Sequence, residues 1–128
     1  MKYAIFGPSK VEGHEFTDRA YVETCLLNEP TLEGIVVGGS KGVETMAEQW
    51  ALQQGVPYEL VRPDWQPDLP VAKVFDNRND QMLNRASGAI FFWDGFDSNT
   101  RYAIADVVRR LKKVIVFPIA RSTLQTGK

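Results

Sequence analysis

The 128-residue sequence has little of several features that mark common protein classes. Cys25 is the only cysteine, so the chain cannot form an intramolecular disulfide or a thiolate cage for zinc; we expect a reducing compartment and no metal site. No apolar run is long enough to span a bilayer or to serve as a signal peptide, which predicts a cytoplasmic protein without membrane contact. The 15 basic and 16 acidic side chains give a net charge of −1. Basic residues cluster only at 109–113, in the last turns of a predicted helix where the dipole favours cations, so nucleic acid is disfavoured as a partner.

Short apolar runs alternate with segments of helical period, separated by polar turns that contain glycine. This alternation predicts an α/β domain with a parallel sheet of about five strands, spanning residues 1–120 and followed by a polar tail at 121–128. We expect strands at 3–6, 35–37, 58–61, 89–92 and 114–117. We expect helices at 17–27, 42–54 and 79–86, and a last helix that begins at Thr100 as its N-cap and presents Ile104, Val107, Val108 and Leu111. In the first helix, Ala20, Tyr21, Thr24 and Cys25 are expected to share one side.

Parallel sheets bind ligands outside the carboxyl ends of their strands, and three polar turns follow predicted strands here. They are residues 7–10, 38–42 and 94–100, and they are expected to converge on one cleft. In the second turn, glycine N–H groups at a helix start suit an anion, and Lys41 adds a positive charge. The same glycines also fit a tight turn alone. The turn is neither a Walker loop nor a dinucleotide-binding fingerprint, so we expect no cofactor.

Two charged residues next to these turns have a functional and a structural interpretation. Glu44, in the first turn of its helix, suits ribose hydroxyls, but an acidic residue there is also favoured by the helix dipole. Arg78 opposes the dipole at the predicted start of its helix, which indicates an anionic partner: Asp76, Asp80 or a bound phosphate. Asn77 or Asn79 is a candidate cap for that helix.

The sole histidine, His14, lies in a polar loop, and no nucleophile accompanies it in sequence. The interpretation as a solvated loop residue is therefore favoured over that as a catalytic base.

Four motifs in order carry a resemblance to a known family: GPSK, IVVGGSKGVETMAEQWALQQGVP, DNRNDQM and AIFFWDGFDSNTRYAI. Over roughly residues 2–117 the chain resembles the small YspA-like members of the SLOG superfamily. That superfamily is a Rossmann-like group that also includes the LOG-type nucleotide phosphoribohydrolases. The resemblance implies a compact three-layer Rossmann-like sandwich that forms a homo-oligomer and binds a nucleotide or a nucleotide-derived sugar.

The resemblance also implies a set of ligand-binding residues, one group for each motif. They are Gly7, Ser9 and Lys10; Gly38, Gly39, Ser40, Lys41, Gly42 and Glu44; Arg78 and Asn79; and Asp94, Gly95, Asp97, Ser98, Asn99 and Thr100. The chain departs from the pattern where Lys10 replaces an arginine, Glu44 an aspartate and Asn99 a glycine. The phosphoribohydrolases carry acidic residues directly after the threonine, whereas this chain has Arg101, Tyr102 and Ala103.

Two functional hypotheses follow from these residues. In the first, the domain senses or sequesters a small nucleotide-derived ligand such as an ADP-ribose or cyclic-nucleotide relative. In the second, it is a nucleoside-phosphate N-glycosidic hydrolase in which Glu44 and Arg78 are catalytic, with Glu44 as acid or base and Arg78 on the phosphate. Because no base or nucleophile is evident among the turns, binding is favoured.

Overall fold

The computed structural model of the chain describes residues 1–8 and 19–119. Within these ranges it contains nine regular elements. The strands are β1 (Lys2–Phe6), β2 (Gly34–Val37), β3 (Tyr58–Leu60), β4 (Gly88–Trp93) and β5 (Lys113–Pro118). The helices are α1 (Arg19–Leu27), α2 (Val43–Gln54), α3 (Val71–Asn84) and α4 (Ser98–Arg109). No helix in the described ranges is both long and apolar enough to cross a membrane.

The five strands form one parallel sheet in the order β3-β2-β1-β4-β5. The predicted α/β architecture is confirmed. The chain runs outward from β1 to β3, and then crosses to β4 on the other side of β1. The carboxyl ends of β1 and β4 therefore meet where the strand order reverses, the point at which open α/β sheets place their ligand crevice.

Helices cover both faces of the sheet because β1, β2 and β4 are apolar on both faces. On one face, Tyr3 and Ile5 pack in a cluster with residues of α1 and α2. On the other face, Ala4 and Phe6 pack in a second cluster with residues of α3 and α4. The helix pair α1 and α2, the sheet, and the helix pair α3 and α4 are the three layers of a Rossmann-like sandwich.

The prediction for α3 is wrong at its start. The helix begins at Val71 rather than Asn79, directly after Pro70, whose φ of −58° is compatible with a helix start. Asn77 and Asn79 consequently lie inside the helix and do not cap it. Arg78 projects from the middle of α3 and is not at a helix terminus.

The start of α4 also differs from the prediction. Asp97, not Thr100, is the N-cap: its carboxylate accepts hydrogen bonds from the Thr100 N–H at 3.3 Å and from the Thr100 hydroxyl at 2.5 Å. The predicted apolar face is smaller than expected: Leu111 lies beyond the end of α4 at Arg109, and Val108 lies within α4 but faces solvent. Val107 is buried, whereas Val108 and Leu111 are exposed.

The buried face of α1 is formed by Val22 and Leu26. Of the four residues expected to share one side, Ala20 and Thr24 are exposed, and Tyr21 and Cys25 lie half-buried at the edge of the buried face. The buried side was hard to identify from the sequence because most residues of α1 are apolar and do not mark a single face. Residues 17–18 and the predicted tail at 121–128 lie outside the described residues.

Candidate functional site

A buried ion pair joins α2 to α3 at the carboxyl end of the sheet. Glu44 lies in the first turn of α2 with 4% of its surface exposed, and Arg78 lies in the middle of α3 with 6% exposed. The Arg78 Nη2 atom is 3.6 Å from the Glu44 Oε2 atom. The anionic partner of Arg78 is therefore Glu44, and the prediction of Asp76 or Asp80 is wrong. Asp80 instead pairs with Arg110 at 2.6 Å.

Further hydrogen bonds fix the Arg78 guanidinium group. Its Nη1 donates to the Gly38 carbonyl at 3.3 Å and to the Ser40 hydroxyl at 2.8 Å. Its Nη2 donates to the Asn79 side-chain carbonyl at 2.9 Å. A Cβ atom at Gly38 would lie 2.6 Å from the Arg78 Cζ atom, so the guanidinium packs directly on the backbone of that residue. Glycine is needed there for this close approach.

The Glu44 carboxyl also contacts the loop that joins β2 to α2. Its Oε1 accepts a hydrogen bond from the Gly38 N–H at 2.7 Å. Burial raises the pKa of the Glu44 carboxyl, while the charge of Arg78 and hydrogen bonds from the Gly38 and Ser40 N–H groups act in the opposite direction. The N–H groups of Gly38 and Ser40, which were expected to bind a phosphate, thus donate to the Glu44 carboxylate instead.

The other residues of this loop set the geometry of the turn. Gly39 and Gly42 both have positive φ, 80° and 97°, and Gly42 is the N-cap of α2. Both conformations favour glycine, which supports the tight-turn interpretation for these two positions. The Lys41 side chain is exposed and forms no part of the two cavities described below.

A cavity of about 310 Å³ opens beside the Glu44–Arg78 pair; we call it the switch-point cavity. It is lined by Phe6, Gly7, Ser40, Glu44, Phe75, Arg78, Asn79, Phe91, Asn99, Thr100 and Ala103. Gly7 follows β1, Ser40 follows β2 and Thr100 lies in the first turn of α4. The cavity therefore brings together residues from each of the three predicted turns, as expected for one cleft.

The floor of this cavity is apolar and its walls are polar. Phe6 and Phe91, which are register partners on β1 and β4, stack with ring centroids 5.0 Å apart. Phe75 lies below the Arg78 guanidinium, whose Cζ atom is 5.3 Å from the ring centroid. Amide and hydroxyl groups of Ser40, Asn79, Asn99 and Thr100 complete the lining. An apolar surface with a few convergent polar groups is typical of a small-molecule site.

A second cavity of about 620 Å³ lies between α3 and α4, and we call it the α3–α4 groove. It is lined by Phe6, Ala72, Lys73, Phe75, Asp76, Asn79, Asp80, Leu83, Phe91, Asn99, Tyr102, Ala103, Asp106 and Val107. Six of these residues also line the switch-point cavity: Phe6, Phe75, Asn79, Phe91, Asn99 and Ala103. The two spaces are therefore neighbours with a common wall.

Several residues predicted to bind ligand lie outside both linings. Asp94 accepts hydrogen bonds from the Phe96 and Asp97 N–H groups, at 2.8 and 3.0 Å, and so shapes the β4–α4 turn. Gly38, Gly39, Lys41, Gly42, Gly95, Asp97 and Ser98 also line neither cavity. Asn99 lies within α4 and is not among the residues with positive φ, so its position does not require the glycine of the family pattern. Ser9, Lys10 and His14 lie outside the described residues.

Phe75 is the main residue that the sequence analysis missed. The correct signal was present, because Val71, Val74, Phe75, Arg78 and Met82 have the spacing of one helix face. The prolines before it hid this signal, because they indicate an irregular connection. A proline is nevertheless compatible with the start of a helix, and α3 begins directly after Pro70. Phe6 and Phe91 were predicted as strand residues, and their position beside a cavity depends on strand order.

Comparison with known proteins gives one match. No curated protein and no solved structure shows a significant match to the chain. Residues 13–67, from before α1 to beyond β3, match the model of the family YAcAr, described as the YspA, cpYpsA-related SLOG family. Over that part of the chain, the match confirms the resemblance to the YspA-related SLOG family.

Proposed function

We propose that the domain binds a small nucleotide-derived ligand, such as an ADP-ribose or cyclic-nucleotide relative, and that the switch-point cavity receives its ribose. The observation that carries this proposal is the cavity itself. Hydroxyl and amide groups from the β2–α2 loop, α3 and α4 surround a charge-neutral Glu44–Arg78 pair at the reversal of strand order. Its volume lies at the lower end of the range for ligand cavities, which suits a sugar more than a complete dinucleotide.

The polar lining supports a sugar in particular. Ser40, Asn79, Asn99 and Thr100 supply both donors and acceptors, which is what the hydroxyl groups of a ribose require. The Glu44 carboxylate offsets the Arg78 charge, so the cavity has no net formal charge from these two groups. A group of hydroxyls is therefore better matched to this wall than an unpaired phosphate.

Binding is favoured over catalysis because the charged groups are already engaged. Glu44 accepts from Gly38 and contacts Arg78, and Arg78 also donates to Ser40 and Asn79. Among the described residues that line the switch-point cavity, Glu44 is the only carboxylate. Glycoside hydrolysis generally uses two carboxylates on opposite sides of the bond, and this lining supplies one.

Isothermal titration calorimetry with AMP, cyclic AMP, ADP-ribose and NAD tests the proposal. Ala103 lines the cavity from α4 and is half-buried, so Ala103→Leu places additional atoms inside it. Ala105→Leu is the matched control, because Ala105 is an exposed residue of the same helix and lines neither cavity. We expect the first variant to weaken binding at least tenfold and the second to leave it unchanged. Absence of binding across the panel at high micromolar concentration would contradict the proposal.

One observation favours the hydrolase as a second candidate. Glu44 lines the cavity, and burial raises the pKa of its carboxyl, which is a property of carboxyl groups that act as a general acid or base near neutral pH. The test is release of free base from nucleoside monophosphates, followed by chromatography. Glu44→Gln preserves the shape of the side chain and removes the titrating group. Turnover that persists in this variant excludes Glu44 as the acid or base.

A further inference from the structure

The α3–α4 groove adjoins the switch-point cavity, shares six lining residues with it and is about twice as large. Phe75 and Asn79 on α3 and Asn99 and Ala103 on α4 belong to both linings. A ligand seated in the smaller space against these residues lies directly beside the groove. The groove is therefore placed to hold a second part of the same molecule.

The groove has an apolar base and acidic sides. Leu83 and Val107 are buried members of the core cluster beneath it. Asp76, Asp80 and Asp106 line its sides, against one lysine, Lys73. Asp80 and Asp106 are held by Arg110, at 2.6 and 3.1 Å, so their carboxylates have fixed positions on α3 and α4. These side chains disfavour a phosphate and suit a flat, uncharged group that carries N–H donors.

We propose that the α3–α4 groove holds the nucleobase of the ligand whose ribose occupies the switch-point cavity. This inference rests on the proposed function and adds to it the orientation of the ligand and the residues that recognise the base. Tyr102 of α4 supplies an aromatic ring at the side of the groove, and it is 66% exposed. The Arg101 guanidinium lies over this ring at 5.7 Å from its centroid. An exposed ring of this kind is suited to stacking on a base.

The test compares ligands with and without a base. Ribose 5-phosphate and the four common nucleoside monophosphates are titrated into the full chain by calorimetry. We expect at least one nucleoside monophosphate to bind about tenfold more tightly than ribose 5-phosphate, which is the lower range for one stacked base. Equal affinity for ribose 5-phosphate and all four nucleotides would overturn the inference and leave the proposed function standing. No binding of any ligand would overturn both.

Two pairs of variants assign the difference to the groove. Ala72 is exposed on α3 and lines only the groove, so Ala72→Tyr fills the groove and leaves the smaller cavity open. We expect it to reduce the affinity for the preferred nucleotide to that for ribose 5-phosphate. Its binding of ribose 5-phosphate is expected to be unchanged, which also shows that the variant is folded. Ala105→Tyr introduces the same side chain on the outside of α4 and is expected to change neither affinity.

The second pair concerns the stacking ring. Tyr102→Ala removes the ring, and we expect about tenfold weaker binding of the preferred nucleotide with no change for ribose 5-phosphate. Tyr102→Phe keeps the ring and is expected to bind as the wild type does. If Ala72→Tyr and Tyr102→Ala both bind the nucleotide as tightly as the wild-type chain, the base does not lie in the groove and the inference is wrong.

Discussion

Replacing Arg78 by methionine tests how the buried ion pair stabilises the domain. The methionine fills much of the volume of the arginine stem, so the main loss is the guanidinium charge and its hydrogen bonds to Gly38, Ser40 and Asn79. Glu44, which is 4% exposed, is then left without an opposite charge. Removing one partner of a buried ion pair costs about 3–5 kcal/mol, because the remaining charge is desolvated without compensation.

This loss is large compared with the free energy of unfolding of a single domain, about 5–15 kcal/mol. We expect the variant to fold at 25 °C but to melt about 12–20 °C lower, since roughly 1 kcal/mol corresponds to 4 °C for a domain of this size. Urea unfolding followed by circular dichroism measures the change in free energy directly. The double variant Arg78→Met with Glu44→Gln has no buried charge to compensate, so we expect it to recover about half of the loss.

The loss also depends on pH in a direction that the structure determines. Burial already raises the pKa of Glu44 in the wild type, and removal of Arg78 raises it further because an attractive charge is lost. Between the ordinary pKa of the carboxyl and this raised value, the folded state binds more protons than the unfolded state. The free energy of unfolding therefore falls as pH rises through that window. We expect the deficit of Arg78→Met to be smaller at acidic pH, and to be independent of this titration when Glu44→Gln is also present.

Two results would refute this reasoning. A loss below about 1 kcal/mol is the size expected of an exposed ion pair and would mean that water reaches the Glu44 charge. A deficit that does not change with pH would mean that the missing hydrogen bonds, and not the unpaired carboxylate, cause the loss.

Three further substitutions probe the geometry around the site by urea unfolding. Gly38→Ala places a Cβ atom 2.6 Å from the Arg78 Cζ atom, and we expect it to lower the free energy of unfolding by about 1–3 kcal/mol. This loss should not be additive with that of Arg78→Met; full additivity would show that the two residues do not compete for space. Asp97→Ala removes the cap of α4 and should cost about 1 kcal/mol, while Asp97→Asn, which keeps a capping oxygen, should cost little; equal losses would contradict the capping role. Leu111 has a φ of 58°, a left-handed conformation that favours glycine, and its side chain is 93% exposed. Leu111→Gly should therefore stabilise the domain by about 0.5–1 kcal/mol. The control Val108→Gly, inside α4, should destabilise it by a similar amount. A loss at Leu111 would show that its backbone conformation is not strained.

Much of the fold could be predicted from the sequence because its signals are local. Ile35-Val36-Val37 is apolar at every position, which is typical of a parallel strand covered on both faces, and the strand is buried as expected. Val43, Ala47, Trp50 and Ala51 recur at helical spacing, and they are the buried side of α2. Neither pattern requires knowledge of what it packs against.

The errors arose where local signals were weak or shared between interpretations. The polar run Asn77-Arg78-Asn79-Asp80 has the composition of a helix cap, yet it lies within α3 because the apolar residues before it continue the same face. Thr100 and Asp97 are both good capping residues, and sequence alone does not rank two such candidates that are three residues apart. The choice between them depends on where the chain leaves β4.

The candidate site divides in the same way. That Glu44 opens a helix after a glycine turn could be read from the sequence, because backbone geometry acts within a few residues. The anionic partner expected for Arg78 was inferred from a helix start at Asn79, whereas Arg78 lies in the middle of α3. The pairing of Glu44 with Arg78 depends on the tertiary structure. An ion pair requires contact within about 4 Å. The strand order β3-β2-β1-β4-β5 lets α2 and α3, which lie on opposite faces, meet through these two side chains at the carboxyl end of the sheet.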